Sequence, residues 1–225
     1  MKAFFKHNGI FILIYLGLLI FVGHYLLEHG KVQIQKQLNE FVGNNFIDSF
    51  FKYVTFLGDG LFAFFVIAVF LFKNVRVSLY IFLSYFGAAI VSSILKHGVY
   101  ADIYRPHFVF VYFVRDPFKT IDGVNLMGFN SFPSGHALSA FALFFCLIFI
   151  SKNYLLKVIC FCLALLAAYS RVHLFQHWLI DIYVGSIIGI SFSMMFYFMF
   201  YKSSKFQNLN TTLPQLLSKN KTTSV

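Results

Sequence analysis

The sequence predicts an all-α, polytopic membrane protein with six transmembrane helices. Of the 225 residues, 59% are hydrophobic and only 12% are charged, whereas soluble domains carry roughly 25% charged residues. Apolar runs long enough to cross a bilayer core, which takes about 20 residues per helix, recur along the chain. The predicted helices cover residues 9–27, 56–72, 77–95, 136–151, 154–171 and 179–201. We expect one membrane domain, 1–202, followed by a polar tail, 203–225.

Basic residues are distributed unevenly between the two sides of this layout. Six spans place both termini on one side, and short loops rich in Lys and Arg remain in the cytoplasm. The side that holds the termini carries ten basic residues and no acidic one: Lys2, Lys6, Lys73, Arg76, Lys152, Lys157, Lys202, Lys205, Lys219 and Lys221. The distribution predicts cytoplasmic termini. The high content of Phe, Ile, Asn and Lys is typical of AT-rich bacterial genomes, so we expect a bacterial inner (plasma) membrane.

The segments outside the predicted spans are less apolar than the spans themselves. Residues 31–54 are mixed, with apolar side chains near helical spacing, which favours a helix at the membrane interface. We expect the first apolar run to be retained rather than cleaved as a signal peptide, and the tail to be unstructured. The net charge of +10 is scattered between apolar segments, which argues against nucleic-acid binding. Cys146, Cys160 and Cys162 are interpreted as small core residues.

Polar groups concentrate at the outer ends of the predicted helices. Lys96 follows the third span, Arg105 lies in the next loop, and PSGH (133–136) opens the fourth span. The sequence SRVHLFQHWLID (170–181) links the fifth span to the sixth. Ionisable residues at membrane depth are costly and indicate a functional site by default. An outer-face active site is therefore predicted.

Two of these segments resemble signature motifs of the type 2 phosphatidic acid phosphatase (PAP2) superfamily. PSGH at 133–136 and SRVHLFQHWLID at 170–181 match its second and third motifs, PSGH and SRxxxxxHxxxD, in the expected order. FLGDG at 56–60 is similar to a stretch common in the second span of such proteins. The resemblance extends from about Thr55 to Met195 and implies a membrane-embedded lipid phosphatase.

The first motif departs from the family pattern. The family shows KxxxxxxRP with six intervening residues, whereas eight separate Lys96 from Arg105. Two extra residues on a continuous helix would rotate Lys96 by about 200°. Gly98 suggests instead that the additional residues lie in a loop. The family role therefore transfers more firmly to Arg105 than to Lys96.

The residue types suit binding of a phosphoryl group. The planar guanidinium groups of Arg105 and Arg171 can bind phosphate oxygens bidentately, and Lys96 can add a point charge. Ser134 and Gly135 precede a helix, whose N-terminal N–H groups attract anions. These five residues are the predicted phosphate-binding residues. Because cationic side chains neutralise the phosphate, neither a metal ion nor a cofactor is predicted.

Three further residues are predicted to be catalytic. His177 and Asp181 are four residues apart and share one helix face, so the carboxylate can orient the imidazole as a nucleophile. The resemblance likewise implies a phosphohistidine intermediate. His136 would act as general acid and then as general base. His173 is a competing candidate, but the motif spacing favours His177.

Several functions share these motifs. A phosphohydrolase acting on a lipid phosphate or diphosphate is the leading hypothesis, and the resemblance suggests undecaprenyl diphosphate or lipid A, with phosphatidylglycerol phosphate or phosphatidic acid as alternatives. A lipid phosphotransferase with the same site differs only in the acceptor. A transporter is less favoured because such sites usually lie near the bilayer midplane. An inactive, substrate-binding relative is a further alternative. The aromatic loop 107–132 is a candidate for dipping into the membrane to admit substrate.

Overall fold

The computed structural model describes residues 2–222, and the regular elements in this range are all helices. Ten α-helices are connected by short 3₁₀ and π turns. The α-helices are α1 Lys2–Glu28, α2 Lys31–Asn39, α3 Asn45–Val54, α4 Gly60–Lys73, α5 Val75–Ile94, α6 Pro106–Val109, α7 Gly135–Ile150, α8 Tyr154–His173, α9 Leu179–Lys202 and α10 Leu213–Thr222. The all-α fold class is confirmed.

The six predicted spans correspond to α1, α4, α5, α7, α8 and α9. Four helices in the described range are long and apolar enough to cross a bilayer: α1, α5 extended to Val99, α8 and α9. The segments Asn45–Gly58 and Gly60–Lys73 meet the same criterion together but are bent by 54°. Helix α7 is apolar but only 16 residues long. The protein is therefore a multi-pass membrane protein.

Helix α7 forms the centre of the bundle and is buried along almost its whole length. It packs against α5, α8 and α9. Two glycines of α9, Gly185 and Gly189, let the α7 and α9 backbones approach closely, because a Cβ at Gly189 would lie 2.5 Å from the Leu138 carbonyl oxygen. The Ser193 hydroxyl, one turn further on, donates to the Ala142 carbonyl at 2.8 Å. Close backbone packing thus fixes α9 against α7.

Residues 31–54 form the two helices α2 and α3, so the helical expectation for this segment is confirmed. Asn44 caps α3, its side chain accepting from the N–H groups of Phe46 and Ile47. Helix α3 buries Asp48 and exposes a row of apolar side chains, Phe46, Ile47, Phe50 and Tyr53. Asp48 accepts a hydrogen bond from the Gly43 N–H at 3.0 Å, and α3 packs against α8.

The expectation of an unstructured tail is wrong for residues 203–222. A 3₁₀ turn at Ser204–Leu209 and helix α10 follow α9. The Phe206 ring stacks on Phe200 with centroids 4.3 Å apart, and the Val75 N–H donates to the Thr211 carbonyl at 2.8 Å. One apolar ring and backbone hydrogen bonding to the start of α5 hold this otherwise polar segment against the bundle.

The cysteine prediction is correct for two residues and wrong for the third. Cys146 and Cys160 are buried, whereas Cys162 is exposed on the outside of α8. Helix α8 is apolar on both faces. One face packs against the protein, and the other is exposed, as expected for a face that contacts lipid. Hydrophobicity alone therefore could not distinguish the buried side from the exposed one.

The close approach of α7 and α9 predicts a stability effect. We expect Gly189→Ala to lower the thermal unfolding temperature in detergent, because overpacking of this kind costs about 1–3 kcal/mol. Gly17→Ala is the matched control, since nothing lies within 4 Å of a Cβ at Gly17. The control should leave the unfolding temperature unchanged or slightly higher. Equal unfolding temperatures for the two variants would contradict this packing.

Candidate active site

The predicted site residues meet at one end of the bundle. They lie on the turn after α5, the loop before α6, the start of α7, the last turn of α8, the connection between α8 and α9, and the first turn of α9. The chain ends lie at the opposite end: His7 and Asn8 contact Lys157 at the start of α8, and Thr211 contacts the start of α5. The site and the described termini are therefore on opposite sides of the membrane domain.

His177 and Asp181 form a buried pair at the centre of the site. The Asp181 Oδ2 lies 3.1 Å from His177 Nδ1, and both side chains are almost fully inaccessible, with 2% and 1% of their surface exposed. A carboxylate on Nδ1 fixes the imidazole orientation and leaves Nε2 as the free nitrogen. The pairing of the two side chains agrees with the prediction, but the predicted shared helix face is wrong: α9 begins at Leu179, and His177 reaches Asp181 from the bend before the helix.

The same carboxylate oxygen has two further donors. The Ser131 hydroxyl donates to Asp181 Oδ2 at 2.5 Å, and the Trp178 N–H donates at 3.0 Å. The Ser134 N–H also donates to the Asp181 carbonyl at 3.0 Å, which ties the start of α7 to the start of α9. Sequence analysis missed Ser131, because its loop position has no motif signal.

Two arginines lie beside this pair, each held differently. Arg105 donates to the carbonyls of Phe129, Gln176 and Asn130 at 2.9, 3.3 and 3.4 Å. Arg171 donates from one terminal nitrogen to the Thr55 hydroxyl at 2.8 Å, and its buried Nε has no hydrogen-bond partner among residues 2–222. An unpaired buried N–H is a donor suited to an anionic ligand.

Lys96 reaches the site through a change of helix geometry. Residues Leu95–Val99 form a π turn that closes with a hydrogen bond from the Tyr100 N–H to the Leu95 carbonyl at 2.8 Å. The extra length of the first motif was expected in a loop. Of the eight residues between Lys96 and Arg105, 97–99 lie in this turn and 100–104 in the segment that follows it. Lys96 is within electrostatic range of Arg105, Arg171 and Asp181. π turns are frequent at functional sites.

The PSGH segment contributes a helix start and a second histidine. Ser134 is the N-cap of α7, its hydroxyl accepting from the Ala137 N–H at 3.4 Å. The Ser134 N–H donates to the Asp181 carbonyl, and nothing lies within 4 Å of a Cβ at Gly135. Gly135 lines a cavity with Lys96 and His136. The His136 Nε2 lies 3.9 Å from the Asp59 carboxylate.

Local charge and burial set the protonation state of His177. Burial lowers the pKa of His177 well below its ordinary value of 6.5, and the nearby charges of Arg105, Arg171 and Lys96 lower it further. Burial also lowers the pKa of Arg105, an effect that the Asp181 charge opposes. The imidazole of His177 is therefore neutral at physiological pH, as a nucleophile requires.

His173 belongs to a separate pair. Its Nε2 lies 2.8 Å from the Asp48 carboxylate of α3, and its ring packs on Phe51 with centroids 4.5 Å apart. The pair joins α3 to α8. Helix α3 leads directly into Thr55, which contacts Arg171. His173 thus supports the position of α3 beside the site and is distinct from the His177 pair.

The loop 107–132 is held against α2 and α3. Lys36 and Asp116 form an ion pair. The Asn39 side chain exchanges hydrogen bonds with the Lys119 backbone, both at 2.8 Å. Phe110 of this loop is buried against Phe175. The aromatic side chains of this loop that are exposed are Tyr112, Phe113 and Phe129, so these are the candidates for membrane contact.

Comparison with known proteins identifies the family. The model of the PAP2 superfamily matches residues 77–205, which is more than half of the chain, and the chain belongs to this superfamily. The crystal structure of the first transmembrane PAP2 type phosphatidylglycerolphosphate phosphatase from Bacillus subtilis is similar, with 21% identity, a TM-score of 0.63, and coverage of 90% of this chain and 100% of that one. The crystal structure of Aquifex aeolicus LpxE is 22% identical with a TM-score of 0.59, covering 72% and 92%. No curated protein sequence matches significantly.

The buried environment of His177 predicts a measurable pH dependence. We expect the ring to remain neutral below pH 6.5, because its pKa in the folded protein is lowered. The unfolded chain binds a proton at this position first, so the stability contributed by the neutral ring is lost as pH falls below 6.5. Histidine NMR signals, assigned with a His177→Gln variant, measure this. A His177 ring that titrates at its ordinary pKa would contradict the site electrostatics.

Proposed function

We propose that this protein is a phosphohydrolase that removes phosphate from a lipid phosphate or diphosphate through a phosphohistidine intermediate. The observation that carries the proposal is the buried His177–Asp181 pair beside Arg105 and Arg171 at one end of a membrane bundle. Membership of the PAP2 superfamily and the fold of PAP2-type phosphatases support it. The site supplies a nucleophile, cations and a proton donor together.

The first half-reaction transfers the phosphoryl group to His177. Asp181 holds Nδ1, so Nε2 attacks phosphorus in line with the leaving oxygen. The phosphorus–oxygen bond breaks, and the leaving oxygen keeps the electron pair and takes a proton from His136. The products are the released alcohol, or lipid monophosphate, and phosphohistidine. General acid catalysis of this kind contributes about 10²–10⁴-fold.

The second half-reaction returns the enzyme to its starting state. Neutral His136 removes a proton from water, and the water oxygen attacks phosphorus. The phosphorus–nitrogen bond breaks, its electron pair returns to Nε2 of His177, and inorganic phosphate leaves. Throughout, Arg105, Arg171 and Lys96 neutralise the equatorial phosphate oxygens. With these cations and the N-terminus of α7 at Gly135, the proposal requires neither a metal ion nor a cofactor.

The location of the site follows from its position relative to the chain ends. Both described ends lie opposite the site, and the excess of Lys and Arg favours cytoplasmic termini. We therefore place the active site at the periplasmic, outer face of a bacterial inner membrane. Lipid phosphates exposed there, undecaprenyl diphosphate and lipid A, are the proposed substrates. Phosphatidylglycerol phosphate and phosphatidic acid are alternatives, the former because a fold neighbour is a phosphatidylglycerolphosphate phosphatase.

Phosphate release tests this function directly. We expect the purified protein to release phosphate from at least one of these four lipids in excess EDTA, because the cations of the site are protein side chains. His177→Ala should reduce release to background by removing the nucleophile. His24→Ala, which changes an exposed histidine of α1, is the matched control and should retain full activity.

Two kinds of result would contradict this proposal. Release that persists in His177→Ala, or that requires an added divalent cation, would contradict the mechanism. Release by the wild-type protein that appears only when a second lipid is supplied as acceptor would identify a phosphotransferase with the same intermediate.

A further inference from the structure

The FLGDG segment places a carboxylate beside the second histidine of the site. The turn Thr55–Gly58 packs directly on the start of α7, since a Cβ at Gly58 would lie 2.7 Å from the His136 carbonyl oxygen. Gly58 is buried, and the next residue, Asp59, caps α4 by accepting from the Leu61 N–H at 2.8 Å through Oδ1. Its other oxygen, Oδ2, lies 3.9 Å from His136 Nε2.

The other titratable groups near His136 are Arg171 and Lys96, which are cationic, and the ring of His177. Burial is the largest effect that opposes a positive charge on His136. Arg171 of α8, the ring of His177 and Lys96 of the turn after α5 oppose it further, whereas Asp59 favours it. Asp181 has one oxygen, Oδ2, that is already engaged with three hydrogen-bond partners. A histidine that must carry a proton among these cations needs an anionic neighbour, and Asp59 occupies that position.

We propose that Asp59 is a positioning residue that orients His136 and stabilises the imidazolium from which a proton passes to the leaving oxygen. This inference rests on the proposed function. The carboxylate stabilises the imidazolium before proton transfer and favours its re-formation when His136 takes a proton from water. The two carboxylates have similar roles in this proposal: Asp181 orients His177, the nucleophile, and Asp59 orients His136, the general acid.

The turn geometry explains why glycine precedes the carboxylate. Any side chain at position 58 would push the turn away from α7 and carry Asp59 away from His136. The cap at Leu61 fixes Oδ1, so the remaining oxygen is directed at the ring by the same residue that starts α4. In this proposal the FLGDG segment has a definite function: Gly58 allows the turn to pack on α7, and Asp59 places a carboxylate near His136.

Leaving-group dependence tests this role. For an alkyl phosphate, whose leaving oxygen needs a proton, we expect Asp59→Asn to lower kcat/KM by about 10- to 100-fold, a part of what general acid catalysis supplies. For 4-nitrophenyl phosphate, whose leaving group departs as a stable anion, the loss should be less than about threefold. kcat/KM is the appropriate quantity because it reports the steps up to phosphoenzyme formation. Asparagine is also a good N-cap, so α4 should remain intact.

The pH profile provides a second readout. With the alkyl substrate, the alkaline fall of kcat/KM should move to lower pH in Asp59→Asn, since His136 loses its proton more readily without the carboxylate. Asp59→Glu should recover part of the activity. Asp102→Asn, a change at an exposed carboxylate of the outer loop, is the matched control and should leave both substrates unaffected. Thermal unfolding of each variant checks that the fold is retained.

Three results would overturn the inference. Equal losses on the two substrates in a folded Asp59→Asn protein would indicate a structural role only. An unchanged pH profile would remove the proposed link to His136. Absence of phosphate release by the wild-type protein from both of these substrates and from all four lipids would contradict the proposed function itself, which separates that failure from failure of the role of Asp59.

Discussion

The Asp181 carboxylate, buried at the first turn of α9, is the group on which the site depends. An ionised carboxylate in a low-dielectric environment is stable only when it is paired and hydrogen-bonded. Oδ2 receives this support from His177, Ser131 and the Trp178 backbone. The same contacts orient the imidazole, so one arrangement both stabilises a buried charge and positions the proposed nucleophile.

The bundle brings the remaining groups to this carboxylate. Close packing of α9 on α7 through Gly185 and Gly189 fixes the height of α9 relative to the α7 start. The α3 segment, joined to α8 by the Asp48–His173 pair, continues into the turn that contacts Arg171 and His136. Cationic side chains from three different elements then lie near His177, and in the proposed mechanism an anionic phosphate would reduce their mutual repulsion.

The sequence predicted the helices and the central residues because both carry strong local signals. Bilayer-length apolar runs predicted the spans, and the motif positions of His177 and Asp181 predicted their pairing, although His177 lies in the bend before α9 and not on a shared helix face. Ser131 and Thr55 could not be predicted, since single hydroxyl residues in a loop or turn acquire a role only through tertiary contacts. The exposed face at Cys162 and the docked tail at Phe206 depend on packing and are likewise absent from composition. The roles assigned to the site residues remain predictions.

Trapping the phosphoenzyme is the most direct test of the central claim that His177 is the nucleophile held by Asp181. Rapid acid-free quenching after mixing with a radiolabelled lipid phosphate should yield a protein label that is stable to alkali and labile to acid, as expected for phosphohistidine, and peptide mapping should place it on His177. The label should be absent from His177→Asn. A label on another residue, or one retained in His177→Asn, would contradict the account.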